Sequence, residues 1–244
     1  MTSRNFILVF LLIQTAAAQI PKSFAGAIAV PGTHVSLIRL LDNFAASCTK
    51  DKNGLAIDQL AGIMKSFNAE DVVKKIYDSL FSSIGDVDLE KLEGNWYTIV
   101  DSSDVHPEPC IKTEIQIISR APFTGTFAVK TTTYTGSESK VYTGFGTQTG
   151  PDPGELLIAT GHPRERCPYL PVKVFASSPG APYEYIVLSQ PLKHPTMVWA
   201  RRSEILETRQ KEINDFLERH GYMSPITALN SRLQFTNVSW CGFQ

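Results

Sequence analysis

The sequence predicts a mainly β protein: an eight-stranded antiparallel up-and-down β-barrel, followed by one C-terminal α-helix and preceded by an α-helical extension. Three observations carry this. Beyond Gly94 the apolar period changes from helical to two. Eight runs rich in Thr, Val, Ile, Tyr and Phe then follow, at 95–104, 110–120, 123–134, 139–149, 154–161, 171–177, 183–190 and 195–202. Short Gly and Pro turns such as Gly136-Ser137, Gly150-Pro151-Asp152-Pro153-Gly154 and Pro179-Gly180 separate them, with no helix between, so the strands form a meander. Eight such strands can close on themselves and leave no exposed edge.

The chain starts with a segment of another kind. Arg4 supplies a positive charge, Phe6 to Ile13 is an unbroken apolar run, and Ala16-Ala17-Ala18 forms a small-residue site before Gln19. That order predicts a secretory signal peptide over residues 1–18, too short to span a bilayer. Its removal takes Arg4 from the 23 basic residues, leaving 22 against 24 acidic ones and a net charge of −2 on a secreted, extracellular protein. No basic excess serves the phosphates of nucleic acid. No hydrophobic tail follows Cys241, so no integral membrane segment is expected after cleavage. A hydrophobic content of 43% is enough to build a core.

Residues 19–87 form the extension. Pro21, Gly26, Pro31 and Gly32 mark a linker, after which Leu37, Leu40, Leu41 and Phe44, then Leu60, Met64 and Phe67, then Val72, Val73, Ile76, Tyr77, Leu80 and Phe81 recur at helical spacing. Their polar faces lack a dense Lys/Arg set, which favours packing on the barrel over lying on a membrane. Asp51-Lys52-Asn53-Gly54 has the look of a calcium loop, but the register that places Gly54 at the loop glycine puts Thr49 and Leu60 where carboxylates are needed. It reads as a helix-to-helix turn. The barrel domain spans 88–244, with Ser203 expected to cap a helix over 204–219 whose inner face carries Ile205, Ile213, Phe216 and Leu217, before a last strand at 231–237.

Cys48, Cys110, Cys167 and Cys241 allow two disulfides in three connectivities, and none stands in a CxxC pair. Asn237-Val238-Ser239 is a glycosylation sequon. No HExxH, paired histidines or G-x-S-x-G elbow occurs, so the sequence predicts neither metal nor cofactor, and no enzyme. His106, His162, His194 and His220 fall in turns or at a helix end, and Gly161-His162-Pro163-Arg164-Glu165-Arg166-Cys167 reads as a charged surface loop.

Leu92-Glu93-Gly94-Asn95-Trp96-Tyr97 stands directly before the first strand and Ala200-Arg201 ends the eighth. In both features, in strand count and in helix position, the chain resembles the lipocalin family over residues 88–241. The stretch from Tyr185-Ile186-Val187-Leu188 to Pro195-Thr196-Met197-Val198-Trp199-Ala200-Arg201 is most similar to nematode lipocalin-related, apolipoprotein D-like secreted proteins. The family's T-D-Y motif is absent, and Gly180-Ala181-Pro182-Tyr183 occupies its turn. The resemblance implies a carrier of a small hydrophobic ligand, such as a lipid, sterol, retinoid or fatty acid. It also implies a Cys110–Cys241 bridge tying the tail to the barrel, which leaves Cys48–Cys167. By the same analogy the rival function is a structural component of the apical extracellular matrix acting through protein partners.

Physical reasons attach to these residues. Gly94 permits a sharp turn beneath the barrel, Trp96 fills its narrow end, and Arg201 can lie across the indole by cation–π attraction. Alternation from Trp96 puts Thr98 and Val100 inward, and alternation from Arg201 puts Met197 and Trp199 inward. Apolar parity on the third and fourth strands adds Phe127, Val129 and Thr131, then Val141, Thr143 and Phe145. This expected lining carries no charge above Arg201, which favours an apolar ligand. The alternative is a collapsed barrel filled by its own side chains.

Overall fold

The computed structural model describes residues 83–136, 138–165, 167–190, 193–223 and 232–243. The signal segment, the helices expected before residue 83, the Asp51–Gly54 turn and Cys48 lie outside the described residues. A short 3-10 turn, Leu89–Lys91, opens the domain, with the Asp88 side chain accepting from the Glu90 amide. Eight strands follow: β1 (Gly94–Ser102), β2 (Cys110–Ala121), β3 (Thr124–Thr135), β4 (Glu138–Gln148), β5 (Leu156–Ala159), β6 (Leu170–Phe175), β7 (Tyr185–Ser189) and β8 (Thr196–Ala200). Helix α1 (Glu204–Arg219) and a short β9 (Leu233–Phe235) complete the order.

The strands neighbour one another in the order β5-β4-β3-β2-β1-β8-β7-β6. Closure between the two outer members rests on a single antiparallel bridge, in which Ile158 and Tyr169 exchange backbone hydrogen bonds of 2.9 and 2.7 Å. Strand β9 pairs with the far end of β1, from Val100↔Phe235 to Ser102↔Leu233. A disulfide between Cys110 and Cys241 fixes the tail to the start of β2.

The barrel wall has two apolar faces. Inside, Trp96, Ile115, Phe127, Val129, Ile158, Ile186, Leu188, Met197 and Trp199 form one buried cluster with Leu89 and Leu92 beneath them. Outside, Ile99, Val100, Tyr185, Val187, Val198 and Ala200 pack against Ile205, Leu206, Ile213 and Leu217 of α1. This explains why β7 and β8 read as continuous apolar runs: all five residues of each are buried, on one face or the other. The helix is not capped as expected. Ser203 has helical dihedrals and makes no side-chain cap bond, and its hydroxyl donates instead to the Glu204 carboxylate. Phe216 is only partly buried, and Leu206 takes a place on the inner face.

Two corrections to the expected lining follow from register. Between Thr98 and Val100 the pairing of β1 with β8 shifts by one residue: Thr98 faces Trp199, but Val100 faces Val198. Such a bulge re-aims every later side chain. Val100 therefore lies in the outer cluster under α1, and the residue turned inward beyond it is Asp101. On β4 the parity is inverted. Residues directly opposite in an antiparallel pair point to the same side, and Phe127, Val129 and Thr131 stand opposite Gly146, Gly144 and Tyr142. Val141, Thr143 and Phe145 consequently face outward, Val141 and Phe145 being 54% and 64% exposed. Gly146 is inside because a Cβ there would collide with the Phe127 ring, which fills the barrel at that level.

Candidate functional site

The interior is built differently at its two ends. At the base, Gly94 adopts φ 102°, a conformation glycine tolerates, and its small size leaves room for Arg201. The Trp96 indole is fully buried and donates from Nε1 to the Leu92 carbonyl at 2.7 Å. The Arg201 guanidinium carbon lies 3.8 Å from the Trp96 ring centroid. Its nitrogens donate to the carbonyls of Lys91, Asn95 and Tyr183 at 2.8, 3.1 and 3.4 Å. Burial lowers the Arg201 pKa to about 10, which leaves it charged at neutral pH. A cation satisfied by three carbonyls and a π face closes this end.

Above the plug the lining is apolar as far as Met197, Trp199 and Val129, all buried. It then becomes polar: Thr98, Thr113, Thr131, Thr133 and Thr160 line a cavity at the opposite end, and the Thr113 and Thr131 hydroxyls are 3.3 Å apart. The cavity measures about 10 Å³, room for about one water molecule. Of the expected lining, then, the interior holds Thr98, Phe127, Val129, Thr131, Met197 and Trp199, whereas Val100, Val141, Thr143 and Phe145 lie outside it.

The mouth also carries charges that an alternation argument misses. His106, on the β1–β2 loop, turns into the barrel with its side chain 3% exposed. Its Nδ1 lies 2.8 Å from Asp101 Oδ1 and its Nε2 lies 2.9 Å from Glu165 Oε1. Burial opposes a charge on this ring, but the carboxylates of Asp101 and Glu165 outweigh it and raise the pKa to about 10. Both nitrogens then donate, and the imidazolium joins two loops across the mouth. Asp101 in turn is pushed up by burial, against the pull of His106. His162 packs edgewise on His106 and on Tyr142, with ring centroids 4.7 and 4.9 Å apart, and stands 3.8 Å from Glu108. Burial and the neighbouring His106 charge lower its pKa, so it stays neutral. The segment expected as a surface loop thus sends His162 and Glu165 into the mouth. One signal existed: Asp101 belongs to a strand by composition, and a buried strand carboxylate needs a cationic partner.

Asn237 is exposed and its side chain accepts from the Ser239 amide at 3.0 Å. The second bridge expected, Cys48–Cys167, falls on Cys48, outside the described residues, and no cysteine among the described residues is free. Among the described residues, no group of three His, Cys, Asp or Glu side chains could hold a metal ion, and no helix is long and apolar enough to cross a membrane.

A family model described as a lipocalin domain matches residues 73–243. No curated protein matches the sequence. The matched span covers the whole barrel, α1 and the disulfide-tied tail, so with its Trp96–Arg201 plug and its meander of eight strands the chain belongs to the lipocalin domain family.

Proposed function

We propose that this protein is an exported lipocalin that carries a small hydrophobic ligand, of the lipid, sterol, retinoid or fatty acid kind, in the upper half of its barrel. The lipocalin domain and the barrel fold suggest binding of such a ligand. One observation carries the reading: the apolar interior is sealed at the base by the Arg201–Trp96 plug, but at the mouth by loops that meet through His106. A ligand enters by displacing those loops and the Met197 side chain, a residue type that repacks at low cost. Export rests on the signal pattern of residues 1–18, and the sequon at Asn237 fits the same compartment. Membership of the nematode lipocalin-related, apolipoprotein D-like branch rests on the Tyr185–Arg201 stretch alone.

A second reading is favoured by one specific fact. A cavity of about 10 Å³ is far below the 300–1,000 Å³ typical of ligand pockets, because Trp96, Phe127, Tyr169 and Trp199 fill the barrel themselves. On this reading the barrel is a rigid module of an apical extracellular matrix, acting through protein partners. Titration with a fluorescent fatty acid and with a retinoid decides between them. Saturable binding that disappears in Met197→Glu, where a carboxylate is placed in the apolar interior, supports the carrier provided that a thermal melt shows the variant folded, and Met197→Gln serves where it does not. No saturable binding to any lipid class leaves the module.

A further inference from the structure

The mouth gathers three carboxyl groups around two buried histidine rings. Asp101 and Glu165 flank His106 on opposite edges of its ring, and Glu108 stands beside His162. Three carboxyl groups thus surround two imidazole rings, and the Arg164 charge also acts on His162. Several polar atoms there are buried without a hydrogen-bond partner: Asp101 Oδ2, Glu108 Oε2, Thr98 Oγ1 and Trp199 Nε1. Asp101, Thr98 and Trp199 are 7%, 4% and 1% exposed, and all three line the cavity. The unpartnered oxygens of Asp101 and Glu108 call for a donor, the Trp199 indole N–H calls for an acceptor, and carboxyl groups buried together favour a cation among them.

The imidazolium in place shows which chemistry the pair of carboxylates accepts: an organic cation that offers N–H donors to Asp101 and Glu165 at once. His106 lies on a connecting loop, between Ser102 at the end of β1 and Cys110 at the start of β2, and so can leave without unpairing a strand. We propose that the mouth binds the protonated head of an amphiphilic amine between Asp101 and Glu165, in place of the His106 ring, with its apolar body along Met197, Trp199 and Ile111. Replacing one cation by another keeps the charge of the pair, whereas a fatty acid would bring a fourth carboxyl group beside Asp101, Glu165 and Glu108. The inference rests on the carrier reading and narrows it: among hydrophobic ligands it selects those with a cationic head.

Calorimetric titration of the full chain at neutral pH with hexylammonium, hexanol and hexanoate tests it. The amine is expected to bind at least about tenfold more tightly than the alcohol, with hexanoate weakest. Asp101→Asn and Glu165→Gln should each abolish that preference, and His106→Gln, which removes the internal competitor, should raise amine affinity. Thermal melts confirm which variants fold, and Glu165→Gln, on a loop, serves where Asp101→Asn does not. Equal affinity for amine and alcohol, or tightest binding of hexanoate, overturns the cationic-head inference and leaves the carrier reading intact. No binding of any of the three, in the wild type or in His106→Gln, overturns both.

Discussion

The base and the mouth of the barrel each bury a cation, and they do so by opposite means. At the base, Arg201 is held by the Trp96 ring and by backbone carbonyls, which are neutral dipoles fixed by the fold. At the mouth, His106 is held by two carboxylates that can lose their charge. The first arrangement responds to no proton near neutral pH, because Arg201 titrates only at about 10 and its partners do not titrate. The second is built wholly of groups that titrate. On the proposed carrier reading, a fixed plug at one end and a titratable latch at the other would make the mouth the route of a ligand.

The largest effect is expected at the base: Trp96→Ala should cost about 3–5 kcal/mol in urea unfolding as a large core truncation. Arg201→Ala should cost less, and the double mutant should fall short of the sum by about 0.5–2 kcal/mol because the two groups touch. Additive losses would show that the plug is two independent residues.

Removing the Cys110–Cys241 bridge, which spans 131 residues of sequence, should destabilise the barrel by about 2–5 kcal/mol, read from urea unfolding of the Cys110→Ala, Cys241→Ala double variant against the wild type. The loss belongs to the wall and tail. It should therefore leave the Trp96–Arg201 coupling unchanged.

The mouth makes a prediction the base does not. His106 has its folded pKa raised from 6.5 to about 10, so its contribution is complete below about pH 6.5 and is lost as pH rises through about 10. Wild-type stability should fall across that window by on the order of 2–4 kcal/mol. His106→Gln should flatten the slope and Trp96→Ala should preserve it. An unchanged slope in His106→Gln would assign the dependence elsewhere.

The smallest effect checks the parity of β4. Phe145→Glu is expected to change stability by no more than about 0.5 kcal/mol, since its side chain is 64% exposed on the outer face. Val129→Glu, inward on β3, should be strongly destabilising or unfolding. A large loss in Phe145→Glu would mean that the hairpin is paired one residue out of register.

The architecture and the base of the barrel are legible in the residues alone. Period-two runs, their turns, the Gly94-Asn95-Trp96-Tyr97 and Ala200-Arg201 ends and the apolar side of β3 are all local patterns, and local patterns are written in neighbouring residues. The outward face of β4 was also within reach. A two-residue link between the runs would pair Thr135 with Glu138, as the structure does, so odd-numbered residues of β3 stand opposite even-numbered residues of β4. Apolarity misled there because Phe127 needs glycine, not a large side chain, across from it. The bulge after Thr98 and the latch at the mouth arise from contacts between distant segments. A bulge is a property of two paired strands, since one residue of β1 is left over only when β8 is laid beside it. The latch joins Asp101, His106 and Glu165, the last 59 residues further along, and nothing in the spacing of a charged loop tells whether it faces water or the inside of a barrel. Closure of the barrel brings those loops over one mouth, and the low dielectric there turns ordinary side chains into a coupled set of charges.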